Sequence, residues 1–166
     1  MAAEPLRHTV EIAAPRTHVF EVLTRELADW WPREFTFSGD RFRGASIDHL
    51  DGGEWFEVNE SGEKVSWGRV LHWDAPERLL LTWRVSVNRT QEAAENASEI
   101  EITLKELDGS STLVELEHRD FERHGTGAEI MRTGMDSAEG WPAILQRLKD
   151  ASEASTPSQD DGHQIL

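Results

Sequence analysis

Residues 117–124, with the sequence EHRDFERH, hold the densest group of side chains that could carry chemistry. If this segment continued as a β-strand, both of its histidines and two of its acidic residues would project to one side, because side chains alternate along a strand. These residues are His118, Asp120, Glu122 and His124. Two imidazoles and two carboxylates could bind a metal ion or act as an acid–base pair. However, the glycines of residues 125–127 predict that the strand ends near Phe121. We therefore favour a solvated strand end with local ion pairs, and we predict neither a metal site nor another cofactor.

His118 is also a candidate by itself. It shares one face of its predicted strand with Val114 and Leu116, so its imidazole should point inward. An inward-facing histidine is usually hydrogen-bonded within the core, and we favour that interpretation over a ligand contact. In an enclosed cavity, it would still be the first polar group to test.

The aromatic residues are unusual, because the chain has seven tryptophans, six phenylalanines and no tyrosine. Tryptophan favours pocket walls and interfaces, although we expect most of these residues to fill the core. Trp83 lies on the apolar face of a predicted strand and should form a cavity wall or part of the core. Trp141 lies at a predicted helix break, where it should pack against the sheet. Trp30 and Trp31 end a helical segment and are the best candidates for a cavity mouth.

Several other kinds of catalytic site have no motif in this sequence. A glycine-rich phosphate loop, a nucleophile elbow and a His-x-x-x-His pair are all absent. Without cysteine, the chain has no disulfide, thiolate metal site or cysteine nucleophile. These absences weaken the case for an enzyme without closing it.

Length and charge set further bounds. The 166 residues predict one domain over residues 1–153 and a disordered acidic tail over residues 154–166. A net charge of -15, without a dense Lys/Arg cluster, argues against partners such as nucleic acid and anionic membranes. No apolar run approaches the roughly 20 residues that a membrane span needs, and residues 1–7 lack the apolar segment of a secretory signal. We therefore expect a cytoplasmic protein without membrane insertion; the sequence carries no signal for an oligomeric state.

The middle of the chain is typical of a β-meander. Seven segments have strand-like alternation or lie between turn signals. They are residues 6–12, 45–50, 54–60, 64–74, 78–87, 98–107 and 112–119. Turns such as Asp51-Gly52-Gly53 and Asp108-Gly109 predict hairpins, so the sheet should be antiparallel, with one face covered and one solvated. In segment 64–74, the pattern leaves open which face is the inner one.

Helical segments flank this meander. After Pro15, apolar residues at helical spacing predict two short helices, or one bent helix, ending before Pro32. A second apolar stripe begins at Ala128 and is interrupted at Gly140-Trp141-Pro142, because proline cannot donate the backbone hydrogen bond of a continuous helix. These elements predict an α+β fold in which a broken C-terminal helix closes over the curved sheet.

Several short motifs together resemble those of a known family. They are Val10-Glu11-Ile12-Ala13-Ala14-Pro15, Trp30-Trp31-Pro32, Gly52-Gly53, Gly68-Arg69-Val70, Ala75-Pro76-Glu77-Arg78-Leu79, Leu81-Thr82-Trp83, Glu117-His118-Arg119-Asp120-Phe121 and Gly140-Trp141. Their order over residues 6–150 is similar to that in homologues of the activator of the heat-shock-protein-90 ATPase, within the START-like (SRPBCC) helix-grip superfamily. The resemblance implies a curved antiparallel sheet wrapped on a long C-terminal helix, two short N-terminal helices, and an internal cavity. Fold alone does not determine function.

Three functions remain open at this point. The leading hypothesis is a protein that binds a small apolar or amphipathic molecule in a cavity between sheet and C-terminal helix. Six residues would lie near the ligand: Trp30, Trp31, Trp83, His118, Met135 and Trp141. The first alternative is a cyclase- or hydrolase-like enzyme that uses His118 with Asp120 or Glu122. The second alternative is a protein-interaction module related to chaperone cofactors, which an exposed apolar patch on the outer face of the sheet would favour.

Overall fold

A computed structural model describes residues 4–86 and 90–155 of the chain. Within these residues, seven strands form one sheet in the order β1-β7-β6-β5-β4-β3-β2. The strands are β1 (Leu6–Ile12), β2 (Phe42–Ile47), β3 (Glu54–Asn59), β4 (Lys64–Asp74), β5 (Arg78–Trp83), β6 (Ser98–Asp108) and β7 (Ser111–Arg119). All neighbouring strands pair antiparallel, as the closely spaced hairpins predict.

Two strand boundaries differ from the predicted ones. β2 lies earlier than residues 45–50, because residues 48–53 form the turn into β3. β5 ends at Trp83, because the next residue, Arg84, pairs through its backbone with Trp67 and Glu92. Val87, predicted as the end of this strand, lies outside the described residues, as do residues 156–166 of the predicted tail.

Four α-helices and four short 3-10 turns complete the described residues. The helices are α1 (Arg16–Thr24), α2 (Leu27–Trp30), α3 (Ala128–Asp136) and α4 (Trp141–Ala154). The 3-10 turns are Arg33–Phe35, Gly39–Arg41, Ala94–Asn96 and Phe121–Gly127. The two short N-terminal helices and the break before α4 confirm the predicted pattern. In the described part of the chain, no helix is long and apolar enough to cross a membrane.

The break between α3 and α4 requires a glycine at position 140. A Cβ atom there would lie 2.4 Å from the carbonyl oxygen of Met135 and 2.5 Å from that of Gly134. Nonbonded atoms do not approach that closely, so a larger residue would force α3 and α4 apart. The close approach places Trp141 in the first turn of α4, where its side chain is buried. Pro142 follows in the same turn, a position that does not need its missing N–H.

The helices and strands enclose one core. Helices α1, α2 and α4 pack over the inner face of the sheet, and α4 contributes Ile144, Leu145 and Leu148 to that core. The outer face carries ion pairs, of which the densest joins Arg119 to Glu101 at 2.9 Å and to two further glutamates. One covered face and one solvated face are therefore confirmed, whereas the predicted solvated end of β7 is wrong for His118 and His124, which are buried.

The sequence pattern left open which face of β4 is the inner one. In the structure, β-bulges interrupt the alternation of this strand. The register between β3 and β4 shifts next to Trp67, and a second shift between β4 and β5 follows Val70. Trp67 and Val70 are both fully buried although an uninterrupted strand would place them on opposite faces. At Gly68, a Cβ atom would lie 1.9 Å from the carbonyl oxygen of Thr82, so this bulged backbone also requires glycine. Neither of the two alternating sets of β4 therefore forms the inner face by itself.

Candidate functional site

Six of the seven tryptophans meet between the sheet and α4. We call them the tryptophan cluster: Trp30, Trp31, Trp55, Trp67, Trp83 and Trp141. Each is at most 4% exposed. Trp31 is central, because its ring centroid lies 5.1–6.4 Å from those of the five others. This position follows from the sequence, since α2 ends at Trp30 and Pro32 prevents further helix, so Trp31 turns into the core. The seventh tryptophan, Trp73, lies outside the cluster against His49 and Phe20.

Most indole N–H groups of the cluster have a hydrogen-bond acceptor. Five of them donate, at 2.6–3.1 Å, to the carbonyl oxygens of Val22, Phe35 and Thr82, to Glu57 Oε1 and to His118 Nδ1. Trp83 Nε1 is different, because it is buried and has no partner among residues 4–86 and 90–155. A buried donor without an acceptor costs about 1–3 kcal/mol. An unpaired indole N–H inside the cluster is therefore unusual.

Four members of the cluster help to line a small internal cavity of about 20 Å³. Its walls are apolar side chains: Leu23, Leu27, Trp30, Trp31, Ile47, Trp55, Leu79, Leu81, Ile100, Ile102, Leu116, Trp141, Ile144, Leu145 and Leu148. This volume would admit roughly one water molecule, but such a water would find no polar partner on these walls. In this conformation, the tryptophans themselves occupy most of the space between sheet and α4.

A larger groove of about 300 Å³ lies on the surface beside the cluster. It runs between the 3-10 turn Arg33–Phe35 and helix α3, and it is lined by Phe35, Ile130, Met131, Gly134, Met135, Ser137 and Glu139. Phe35 connects this groove to the cluster, since its carbonyl oxygen accepts the hydrogen bond of Trp31 Nε1. Methionine side chains are flexible, so the wall formed by Met131 and Met135 can adapt its shape.

A chain of hydrogen bonds extends from the cluster to the protein surface. Trp141 Nε1 donates to His118 Nδ1 at 2.9 Å, and His118 Nε2 lies 2.8 Å from Ser98 Oγ. Ser98 Oγ also lies 2.7 Å from His124 Nε2, whose ring contacts Glu92 through Nδ1 at 2.5 Å. We call these five residues the polar chain. Of its five members, Trp141 is the one that lines the internal cavity.

Proton positions along the polar chain follow from its buried end. Because an indole N–H can only donate, His118 Nδ1 must be an acceptor, and the proton of His118 lies on Nε2. His118 then donates to Ser98 Oγ, and the same oxygen is hydrogen-bonded to His124 Nε2, whose ring is in turn paired with Glu92 through Nδ1. Burial lowers the pKa of His118 well below its ordinary value of 6.5, and the neighbouring His124 acts in the same direction. His118 is therefore neutral in the folded protein.

The neutral His118 predicts a loss of stability at acidic pH. Because the pKa of His118 is lowered on folding, the unfolded chain binds a proton more readily, and stability falls as the pH decreases below 6.5. His118→Gln, which can still accept from Trp141 but does not titrate, should reduce this decrease. For each protein, urea unfolding at about pH 7.5 and about pH 5.5 gives the decrease in the free energy of unfolding between these two pH values. An equal decrease in wild type and variant would contradict the assignment of a neutral His118.

Ser98, His124 and Glu92 have the order of a serine–histidine–carboxylate arrangement, in which the carboxylate orients the imidazole and the imidazole accepts the hydroxyl proton. Ser98 is fully buried, however, and it lines neither the internal cavity nor the surface groove. In the closed conformation, the polar chain holds the ring of Trp141 in one orientation. It could act on a bound molecule only if Trp141 moved away.

The predicted pairing of His118 with Asp120 or Glu122 is wrong. Asp120 adopts a left-handed backbone conformation directly after β7, and its carboxylate pairs with Arg123 at 3.5 Å, while Glu122 is exposed. The 3-10 turn Phe121–Gly127 then brings His124 back to Ser98. The two histidines of the segment therefore do converge, through a turn rather than through strand alternation. Among the described residues, no group of three or more His, Asp or Glu side chains is placed to hold a metal ion.

The other predicted site residues are distributed over three places. Trp30, Trp31 and Trp141 line the internal cavity, and Trp83 lies in the cluster with its ring centroid 6.1 Å from that of Trp141. Met135 lines the surface groove instead. Trp55 was not predicted as a site residue, because Phe56 and Val58 make the other face of its strand the more apolar one. Ser98 and Glu92 were not predicted either, because no local pattern brings them to His124.

Glu57 is a further buried polar residue that was not predicted from the sequence. It is 0% exposed, and its two carboxylate oxygens accept from the backbone N–H groups of Phe37 and Ser38 at 2.8 and 2.7 Å and from Trp67 Nε1 at 2.6 Å. Glu57 thus joins the cluster to the loop that continues from the groove wall. Its role is to position Trp67 and this loop.

Comparison with known proteins agrees with this architecture. A family model described as activator of Hsp90 ATPase homolog 1-like protein matches residues 13–153. The solved structure of an anthrahydroquino-γ-pyrone synthase, Txn09, complexed with a compound designated SUM, is 33% identical, with a TM-score of 0.65, and the match covers 90% of this chain and 97% of that chain. The self-sacrificing resistance protein CalC from Micromonospora echinospora is 28% identical, with a TM-score of 0.65 and coverage of 92% and 96%.

A third solved structure, the Aha1 dimer from Colwellia psychrerythraea, is 18% identical, with a TM-score of 0.61 and coverage of 91% and 97%. At this identity the likeness concerns the fold, which is the predicted helix-grip arrangement of sheet and C-terminal helices. A search among curated proteins found no match.

Proposed function

We propose that this chain, which belongs to the family of activator of Hsp90 ATPase homolog 1-like proteins, binds a small apolar or amphipathic molecule between its sheet and helix α4. The observation that carries this proposal is the tryptophan cluster around an entirely apolar cavity. Aliphatic side chains would fill a core equally well, whereas the four indoles that line the cavity supply flat faces on which a ring-shaped molecule can stack. Binding sites for small molecules are typically apolar in this way, with few polar groups.

Two relatives support this class of ligand. Txn09 is named as a synthase and was solved in complex with a compound, and its identity of 33% extends over nearly its whole length. CalC is named as a resistance protein and is similar over 96% of its length. The name of Txn09 refers to the synthesis of a pyrone, and both proteins share the fold that encloses the tryptophan cluster here.

The ligand must enlarge the cavity, because about 20 Å³ is far below the roughly 300–1,000 Å³ of most ligand sites. Trp31 is the residue whose movement would do this. It follows the end of α2, it touches every other tryptophan of the cluster, and its N–H is bonded to Phe35 in the wall of the surface groove. Rotation of Trp31 towards the groove would join groove and cavity into one site, with Met131 and Met135 at its mouth.

Titration of the full chain with hydroxymethyl-anthracene tests the proposal. This probe is planar and neutral, which avoids repulsion by the net charge of -15. We expect saturable quenching of tryptophan emission, energy transfer to the probe, and one probe per chain by native mass spectrometry. Native mass spectrometry of protein purified from its host would also show a ligand that stays bound.

Leu145→Phe provides the blocking variant, because Leu145 lines the cavity and the larger ring would occupy it. Binding should weaken about tenfold or more, since overfilling a core costs about 1–3 kcal/mol. Leu107→Phe is the matched control, because Leu107 is exposed at the end of β6. Absence of probe binding to the wild type, or equal binding by the two variants, would reject the proposed site.

Catalysis on the bound molecule is the second candidate function. The polar chain favours it, because Ser98, His124 and Glu92 form an acid–base arrangement that is linked to Trp141 through His118. A change in the mass of the released molecule would indicate turnover, and Ser98→Ala should then abolish turnover while leaving binding intact. A released molecule with unchanged mass and unchanged chromatographic retention would leave binding as the function.

A protein-interaction module is less well supported by the surface. The outer face of the sheet carries ion pairs instead of an apolar patch. The large apolar side chains that are exposed within the described ranges, Leu50, Leu107 and Ile130, lie on separate elements. Neither feature offers the apolar centre that a stable protein interface requires.

A further inference from the structure

Trp83 differs from the rest of the tryptophan cluster because its indole N–H has no hydrogen-bond acceptor among the described residues. The other five indole N–H groups of the cluster each reach an acceptor on the protein. Trp83 is 1% exposed, and its Nε1 finds no acceptor in the part of the chain that the structure describes. Since buried polar groups of folded proteins are nearly always hydrogen-bonded, this N–H is available for a partner that the protein alone does not supply.

The aromatic rings around Trp83 offer its N–H group no acceptor. Its ring neighbours are Trp31, Trp55, Trp141 and His118, with ring centroids 5.8–6.1 Å away. Three of these are indoles, whose N–H groups only donate, and His118 has both nitrogens engaged, by Trp141 and by Ser98. The faces of these rings are weak acceptors at best.

A buried water molecule is not a suitable acceptor for the Trp83 N–H group either. A buried water molecule needs two or more polar partners, and the walls of the neighbouring cavity are apolar. The side chains that line this cavity offer such a water no second polar partner. The partner must therefore arrive together with enough apolar surface to fill the cluster.

We propose that Trp83 Nε1–H is the specificity-determining donor of the site, and that it selects planar aromatic molecules carrying a carbonyl oxygen, such as quinones and aryl ketones. This inference rests on the proposed function and specifies its ligand. A carbonyl oxygen accepts in the plane of the ring that carries it, so a flat molecule stacked within the cluster presents this oxygen at its edge. A carboxylate or phosphate is disfavoured, because the lining residues include no cation and the chain carries a net charge of -15.

A matched pair of probes isolates the carbonyl oxygen. Hydroxymethyl-anthraquinone and hydroxymethyl-anthracene have the same three fused rings and differ in the two quinone oxygens. We expect the wild type to bind the quinone more tightly, by about three- to tenfold, which is the range of one neutral hydrogen bond. Trp83→Phe should remove this preference, because phenylalanine keeps an aromatic ring and lacks the donor.

Trp55→Phe is the control variant. It removes a similar volume from the same cluster, but the lost N–H is one that already donates to the carbonyl oxygen of Thr82 at 2.8 Å. Both variants should weaken binding of both probes through the lost ring volume. Only Trp83→Phe should change the ratio of the two affinities, which is why the ratio is the measurement.

A second measurement uses the unmodified protein. In a nitrogen–proton correlation spectrum, the indole N–H signal of Trp83 should move downfield when the quinone binds and remain near its free position when the anthracene probe binds. An unchanged signal with the quinone, or an unchanged affinity ratio in Trp83→Phe, would overturn the inference while the proposed function stands. If the wild type bound neither probe, the proposed function would fail and the inference with it.

Discussion

Replacing Glu57 by glutamine should lower the free energy of unfolding by about 3 kcal/mol, the largest effect expected from an isosteric change in this chain. All three partners of Glu57 are N–H donors: the backbone of Phe37, the backbone of Ser38 and Trp67 Nε1. Glutamine keeps one acceptor oxygen and places an amide NH2 group against at least one of these donors. Glu57→Ala, which leaves all three without an acceptor, should cost more. Urea unfolding followed by circular dichroism measures both values.

Glu60→Gln is the control for this prediction. Glu60 is also a glutamate close to the end of β3, but its side chain is about half exposed and pairs with Arg41 and Arg43. An exposed pair of this kind contributes about 0–1 kcal/mol, so the variant should remain close to the wild type. Similar losses in Glu57→Gln and Glu60→Gln would show that the buried hydrogen bonds of Glu57 are not the cause.

Glu57 shows where the sequence misleads. In β3, Trp55, Glu57 and Asn59 are buried, whereas Phe56 and Val58 are less so. Hydrophobicity alone favours Phe56 and Val58 as the inner residues, with the glutamate in solvent. The opposite arrangement holds because the loop of residues 36–38 crosses over β3 and offers N–H groups that only a buried acceptor can satisfy. Such a contact depends on residues nearly twenty positions away and leaves no periodic signal.

Most of the fold could be predicted, because its signals are local. The hairpin at Asp108-Gly109, the alternation of Val114, Leu116 and His118, and the break at Gly140 each depend on a few consecutive residues. The predicted strands and helices therefore agree with the structure except at the edges of β2 and β5. The position of Trp67 could not be predicted, because a bulge in β4 resets the alternation.

The candidate site was predictable only in part, because some of its contacts join residues that are distant in the sequence. Trp30, Trp31 and Trp83 could be proposed from their places on helix and strand, and all three join the cluster. The polar chain could not be assembled from the sequence. Glu92 and Ser98 meet His124 through a 3-10 turn whose path is determined by tertiary packing, so strand alternation assigned the wrong carboxylates to His118.

Trp31→Ala should lower the free energy of unfolding by about 3–5 kcal/mol and at the same time create a site for a small aromatic molecule. Trp31 is 4% exposed and touches five other indoles, so its removal leaves a cavity between rings that cannot all close in on it. The new space adjoins the existing cavity of about 20 Å³. Added indole should therefore bind the variant and raise its unfolding midpoint with concentration, as any ligand specific to the folded state does.

Trp73→Ala separates this effect from a general action of indole. Trp73 is also aromatic-packed, against Phe20 and His49, but it lies outside the cluster and is partly exposed. Trp73→Ala should lower the free energy of unfolding by less than Trp31→Ala does, and added indole should not restore the lost stability. Stabilisation of neither variant would show that the space around Trp31 does not accept an added ring, and equal stabilisation of both would show a general action of indole without a site at Trp31. A ligand could then not replace Trp31 when it rotates towards the groove, and the proposed opening of the site would be refuted by the same result.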